Sequence, residues 1–228
     1  MRSLRRAVPL VVLSCLVLAG CSSSGSHSGG DVAGKNGASA AGPSGKAGSS
    51  APAGSAGKIP VGAGPQETYT VQQQSPAGSC KYRYEGGEPL PDPKCTPGAI
   101  SPAVTQANLK TTICRPGGYT KGIRPPDSIT GKEKLLNAAS YGYKGPFKDA
   151  EYDHKISLQL GGDPNDSRNL WVQPPDPGHK PGGGINNKKD PVETKLHTAV
   201  CSGKVTLAAA QNAIATDWTT ALQSLGLG

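Results

Sequence analysis

Tyr152-Asp153-His154-Lys155-Ile156-Ser157-Leu158, followed by Gly161-Gly162 and then Asn169-Leu170-Trp171, is the stretch on which the reading of this chain turns. A carboxylate beside a histidine can hold a divalent cation with one side chain while the other takes a proton from water. An asparagine a short hairpin later can fix the orientation of the imidazole. Together they are the minimum equipment for metal-assisted hydrolysis of a phosphodiester. Residues 151–160 have strand-like alternation, with Ile156, Leu158 and Leu160 on one face. Residues 161–167 form a turn and residues 169–173 the returning strand, so a hairpin is expected.

Helices are expected on both sides of this hairpin. Upstream, Ser101 as N-cap and Pro102 at the first position open a helix over residues 103–113, closed by Cys114. Thr130-x-x-Glu133 has the form of a capping box ahead of a short helix over residues 134–140, ended by Tyr141-Gly142-Tyr143. Downstream, a Pro/Gly/Asp loop over residues 174–184 leads to a helix over residues 187–200, with Val192, Leu196 and Val200 on one face. Pro191 is tolerable there only near the first turn. A last helix over residues 206–225 carries Leu207, Ala210, Ile214, Trp218 and Leu222 as a core stripe. Asp163, Asp166 and Asp176 fall in turns, where aspartate caps backbone.

The amino terminus indicates the compartment. Arg2, Arg5 and Arg6 precede an apolar run over residues 7–18 that is too short for a spanning helix, so residues 1–20 read as a secretory signal. Leu18-Ala19-Gly20 before Cys21 resembles the bacterial lipobox, which implies cleavage ahead of Cys21 and a lipid such as palmitate on its thiol. Residues 21–65 are then a Gly/Ala/Ser linker with almost nothing apolar to bury, a flexible tether. Residues 66–94 form an irregular lead-in and residues 95–228 the functional domain. With aromatic residues at 4% of the chain and a single Phe, the core must be small.

Six cysteines bear on how such a core is braced. Cys15 leaves with the signal and Cys21 carries lipid, so Cys80, Cys95, Cys114 and Cys201 remain for two disulfides with three pairings. Cys80–Cys95 as a local staple with Cys114–Cys201 as a long-range one is favoured; without a Cys-x-x-Cys pair, zinc is the weaker reading. Net charge is +8 for the precursor, and loss of the three leader arginines leaves +5. That excess is compatible with a phosphate-backbone ligand without demonstrating one.

Hairpin, loop and helix around Asp153-His154 resemble the ββα-metal, or His-Me finger, site of the HNH endonuclease family. Lys189-Asp190 matches that family as well, and the likeness extends to an exported bacterial lipoprotein branch through Ile113-Cys114, Ile123-Arg124-Pro125-Pro126, Tyr141-Gly142-Tyr143, Val200-Cys201-x-Gly203, Ala210-Gln211 and Asp217-Trp218. It implies an α+β fold: a ββα-metal core surrounded by helices behind a disordered tether. In it His154 is the general base, Asp153 binds one divalent cation (Mg2+, with Mn2+ as the alternative), and Asn169 bonds near the His154 backbone and holds its ring. The histidine that many members place at the start of the helix is absent here. Asn186, at the Asn-x-x-Lys spacing, is the first candidate for the second ligand and Glu193 the next. Glu193 and His197, four residues apart, could share a face toward the hairpin, while His197 is as readily a surface residue and His179 a solvated loop residue. Arg124 and Lys189 are candidates for gripping phosphates. Two disulfides would replace the zinc that braces intracellular relatives.

The expectation is a monomeric, membrane-tethered, extracytoplasmic endonuclease that hydrolyses DNA ahead of RNA. The alternatives are a non-catalytic surface lipoprotein that binds nucleic acid or another polyanion, and a structural cell-envelope lipoprotein.

Overall fold

The hairpin motif folds as two short strands and a tight connection. A computed structural model describes residues 58–185 and 187–228. The expected signal segment, Cys21, most of the linker and Asn186 therefore lie outside the described residues. The fold is α+β with two small antiparallel hairpins. The first pairs β1 (Arg83–Glu85) with β2 (Glu88–Leu90). The second pairs β3 (Glu151–His154) with β4 (Leu170–Gln173), placing Asp153 opposite Trp171 and Glu151 opposite Gln173. Helices α1 (Asp127–Tyr141), α2 (Lys189–Cys201), α3 (Leu207–Thr216) and α4 (Ala221–Ser224) surround them. Among the described residues no helix is long and apolar enough to cross a membrane.

Strand β3 ends at His154, short of the expected residue 160, and Leu158–Leu160 is a 3-10 turn. The cause is the Asn169 side chain. It accepts from the Ile156 amide at 3.0 Å and donates to the Ile156 carbonyl at 3.0 Å, capturing groups that a longer ladder would need. Ile156 and Leu160 are still fully buried in the main core, so the apolar pattern reported burial correctly and conformation wrongly. The Gly161-Gly162 pair has a steric origin. Gly161 is left-handed at φ +74°, and a Cβ on Gly162 would lie 1.8 Å from the Ile156 carbonyl oxygen.

The other helix expectations need similar adjustment. Helix α1 starts at Asp127, one turn before the expected box, with Pro126 extended ahead of it. Glu133 caps nothing; it is buried and accepts from the Gln72 amide at 2.7 Å. Gly142, left-handed at φ 62°, closes α1 as expected. The helix expected over residues 103–113 is only a 3-10 turn, Gln106–Thr111. Asn108 interrupts it by bonding the Thr105 amide at 2.8 Å and the Ala103 carbonyl at 3.0 Å. The last helix is broken at extended Asp217, whose carboxylate accepts from the Thr219 amide and hydroxyl. Trp218 then points its indole N–H at the Pro89 carbonyl, 2.9 Å away.

The main core joins Leu90, Ile113, Ile156, Leu196, Ile214 and Trp218 across these elements. A smaller aromatic cluster stacks Tyr82 on Tyr141 at 4.7 Å, with Trp171 about 6 Å from each. Residues 58–64, expected in the tether, belong to the fold. Val61 bridges Ile100, the Gly62 amide donates to the Ile100 carbonyl, and the Gly64 amide donates to Asp163 at 2.6 Å. Two disulfides close the structure, Cys80–Cys95 and Cys114–Cys201, the pairing favoured from sequence.

Their loops span 15 and 87 residues, so by loop-closure entropy they stabilise unequally. Replacing Cys114 and Cys201 together by serine should cost about 4.5 kcal/mol, against about 3 kcal/mol for Cys80 and Cys95. Urea unfolding of the two double variants checks the order.

Candidate active site

The carboxyl end of β3 meets the first turn of α2, and one lysine joins them. Lys189 is fully buried, and its ammonium donates to Asp153 Oδ2 at 2.8 Å, to the His154 carbonyl at 2.8 Å and to Glu193 Oε1. All three donors are used, so Lys189 is not free to grip a phosphate as expected from sequence. Burial alone would discharge this ammonium. The Asp153 and Glu193 carboxylates outweigh that and hold it charged, above the usual lysine range.

One cation shared between two buried carboxylates leaves negative charge in excess. Burial, reinforced by Asp153, raises Glu193 to about 7 in spite of Lys189. Burial, then Asp153 and Asp190, raises Glu151 to about 7. Asp153 is 6% exposed; the indole of Trp171 donates to its Oδ2 at 3.3 Å, and its Oδ1 accepts no hydrogen bond among the described residues. Asp153 Oδ1 and the neighbouring carboxyls, once deprotonated, are oxygen donors of the kind a hard divalent cation takes. Asp153 and Glu193 are the described residues suited to hold one, and Gln159 steadies Glu193 Oε2 at 3.3 Å.

His154 lies at the end of the same strand and is 8% exposed. Its Nε2 is 3.0 Å from the Pro164 carbonyl, which can only accept, so Nε2 carries the proton and Nδ1 keeps its lone pair. Burial lowers the ring to about 4, against the Pro164 bond and Asp153, and Arg124 and Lys189 add to the lowering. The ring is therefore neutral at ordinary pH.

Asn169 does not touch that ring. Besides its two bonds to Ile156, its side chain accepts from the Ala99 amide at 3.3 Å and donates to the Asp163 carbonyl at 2.9 Å. It is a positioning residue: it ties together the loop from which Pro164 reaches His154. Arg124 is exposed, close enough to influence His154 and Asp190, and makes no ion pair among the described residues. Glu193 and His197 do not both turn to the hairpin: Glu193 does, through Lys189 and Gln159, and His197 does not. The His197 ring bonds the Ile113 carbonyl at 2.9 Å and sits 3.3 Å from Cys201 Sγ, so it belongs to the Cys114–Cys201 disulfide. Among the described residues Cys114, His197 and Cys201 are also the one His/Cys/Asp/Glu trio whose ligand-type atoms lie within 4.8 Å of one another, but with both sulfurs in the disulfide no thiolate is available to a metal. His179 is not solvated either, lying 3.5 Å from Asp149 with its side chain 9% exposed.

Sequence reasoning missed Glu151, Asn187 and Gln159. Glu151 shares the Asp153 side of β3 by simple alternation, a signal that was available. Asn187 donates to Glu151 at 2.5 Å and accepts from the Asp190 amide at 3.0 Å, linking strand to helix start. Gln159 sits in the 3-10 turn, which no periodicity announced.

Two outcomes follow for the metal-free protein. Asn169→Ala would orphan the Ile156 and Ala99 amides and two carbonyls at a fully buried site, costing at least about 3 kcal/mol in urea unfolding. Between the ordinary carboxylate range and about 7, Glu151 and Glu193 hold protons that the unfolded chain has released, so stability should fall as pH rises through that window. His154 acts oppositely from about 4 up to its usual value, because there only the unfolded chain binds the proton. Two carboxyls against one imidazole leave a net decline. Thermal melts from acid to neutral pH in chelator should follow it, and Glu193→Gln should flatten it; a rising curve would contradict the assignment.

No family model, no curated protein and no solved structure matches this chain.

Proposed function

We propose that this chain is a metal-dependent nuclease of the HNH, or His-Me finger, type. It hydrolyses phosphodiester bonds of DNA, and less readily RNA, outside the cytoplasm from a lipid anchor at Cys21. In this reading β3, β4 and α2 are the ββα core. The observation that carries it is His154, whose Nε2–H is held by the Pro164 carbonyl so that Nδ1 keeps its lone pair, next in the chain to the buried Asp153 carboxyl.

His154 Nδ1 takes the proton from the attacking water, while the Pro164 carbonyl holds Nε2–H and fixes the tautomer. Asp153, through Oδ1, and Glu193 would hold a divalent cation, Mg2+ before Mn2+; Asn186 lies outside the described residues and remains the candidate expected from sequence. When bound, such a cation supplies Lewis-acid stabilisation of the crowded phosphate and the leaving oxygen. Lys189 positions Asp153 and Glu193 without touching substrate, and Arg124 is the exposed cation for the neighbouring phosphate.

One observation favours a second reading, a non-catalytic lipoprotein that binds nucleic acid or another polyanion. The Lys189 ammonium already bonds both carboxylates proposed for the cation.

Plasmid DNA incubated with purified protein and Mg2+ or Mn2+, with and without chelator, separates the two. Nuclease activity should require the cation and fall by about 100-fold or more in His154→Ala and in Asp153→Asn. Equal cutting by His154→Ala would remove that residue from the mechanism. Salt-sensitive DNA binding without cutting in any divalent metal would favour the second reading.

A further inference from the structure

Lys155 follows the last residue of β3, and its side chain ends in a different environment, at the Thr96 carbonyl. Lys155 is 4% exposed, and among the described residues its ammonium has one acceptor, the Thr96 carbonyl at 2.9 Å. An ammonium carries three donors, so two N–H groups are left without a partner among the described residues. Burying a charged group with donors to spare is costly, and such groups are usually matched by a ligand or water.

The side chain lines a cleft of about 430 Å³ at the seam between four segments: the residues around Ile59, strand β1, the loop before Ala99, and α3. Two further cations line it, Lys58 and Arg83, and none of its lining residues is acidic. Arg83 is half-buried and, among the described residues, its side chain makes only a long contact to the Pro91 carbonyl at 3.4 Å. Asp92, the carboxylate whose charge reaches Lys155, is already committed, accepting from the Lys81 and Lys94 amides at 2.8 Å each. Much of the remaining wall is apolar, including Ile59, Pro93 and Ala215. A concave cleft of this size, apolar with a few convergent polar groups, is the usual form of a small-molecule site. A surface made to follow a polyanion would be open and continuously basic instead.

We propose that this cleft binds a compact organic oxyanion, a phosphate monoester or carboxylate on an apolar body, with Lys155 and Arg83 gripping the anionic group. The site is separate from the Asp153–His154 centre and does not depend on that centre being a nuclease. Lys155 donates its two spare N–H groups from the floor, Arg83 adds a planar fork from the side, and Lys58 closes the charge at the rim. The apolar wall takes the body of the ligand, which gives preference over inorganic phosphate.

Calorimetric titration of the purified protein with phenyl phosphate, benzoate, inorganic phosphate and benzyl alcohol tests this, each run with and without chelator. Phenyl phosphate or benzoate should bind saturably at one site, more tightly than inorganic phosphate, and without response to chelator; benzyl alcohol should not bind. Which of the two binds better identifies the anionic group. Arg83→Gln, a change on a partly exposed strand, should weaken binding about tenfold, and Lys155→Met by more, with unchanged melting of Arg83→Gln as the folding control. Absence of saturable binding by either organic anion up to about 10 mM, where affinity is too weak to be specific, would overturn the proposal. So would binding that Arg83→Gln leaves intact.

Discussion

The ammonium of Lys189 is the interaction on which the rest of the site depends. A buried cation is expensive, and partners on one element alone would not compensate it. Here the acceptors come from two: Asp153 and the His154 carbonyl on β3, and Glu193 one turn along α2. Strand and helix are thereby held at one spacing, because separating them would strand a charge in a dry place. The same lysine sets the electrostatics. Two carboxylates share one cation, so the centre remains short of positive charge and Glu193 keeps its proton toward neutrality.

Helix α2 is fastened at both ends by different physics. Lys189 opens it with the charged knot against the hairpin, and Cys201 closes it with a covalent link to Cys114. Between them, Leu196 and Val200 press into the main core. A chain with a single Phe has little apolar area to spend on rigidity. The disulfides and the polar knots supply it instead. Asn169 is the second such knot, and its four side-chain bonds replace a stretch of regular strand with a loop of defined shape. That loop brings the Pro164 carbonyl to His154, so the imidazole is oriented by backbone that Asn169 has arranged.

Much of the hairpin was legible because its signals are local. Asp153, His154 and the returning strand follow from alternation and from the order of Gly161-Gly162 and Asn169, and Gly162 is required by a contact with Ile156 only six residues away. The core faces of α2 and α3 were readable from helical spacing, and the number of disulfides from counting cysteines. Conformation failed where a side chain outcompeted the backbone: at Asn108, at Asn169 and at Asp217. Each is a short polar side chain that bonds main-chain groups a helix or strand would otherwise use. Patterns of apolar residues do not register that competition.

The sequence by itself determined the apolar faces that form the core, that Asp153 and His154 lie on the first strand of a hairpin, and that a helix follows it. Apolar spacing and chain connectivity are one-dimensional properties, so they can be read in one dimension. Only the tertiary structure decided that Lys189 turns inward, that Glu193 bonds Lys189 at the hairpin while His197 bonds the Ile113 carbonyl, and that residues 58–64 join the fold through Ile100 and Asp163. Those outcomes depend on where a charge finds acceptors contributed by distant segments. A buried ammonium goes to whatever set of oxygens best compensates its lost water, and the chain assembles that set only when it folds.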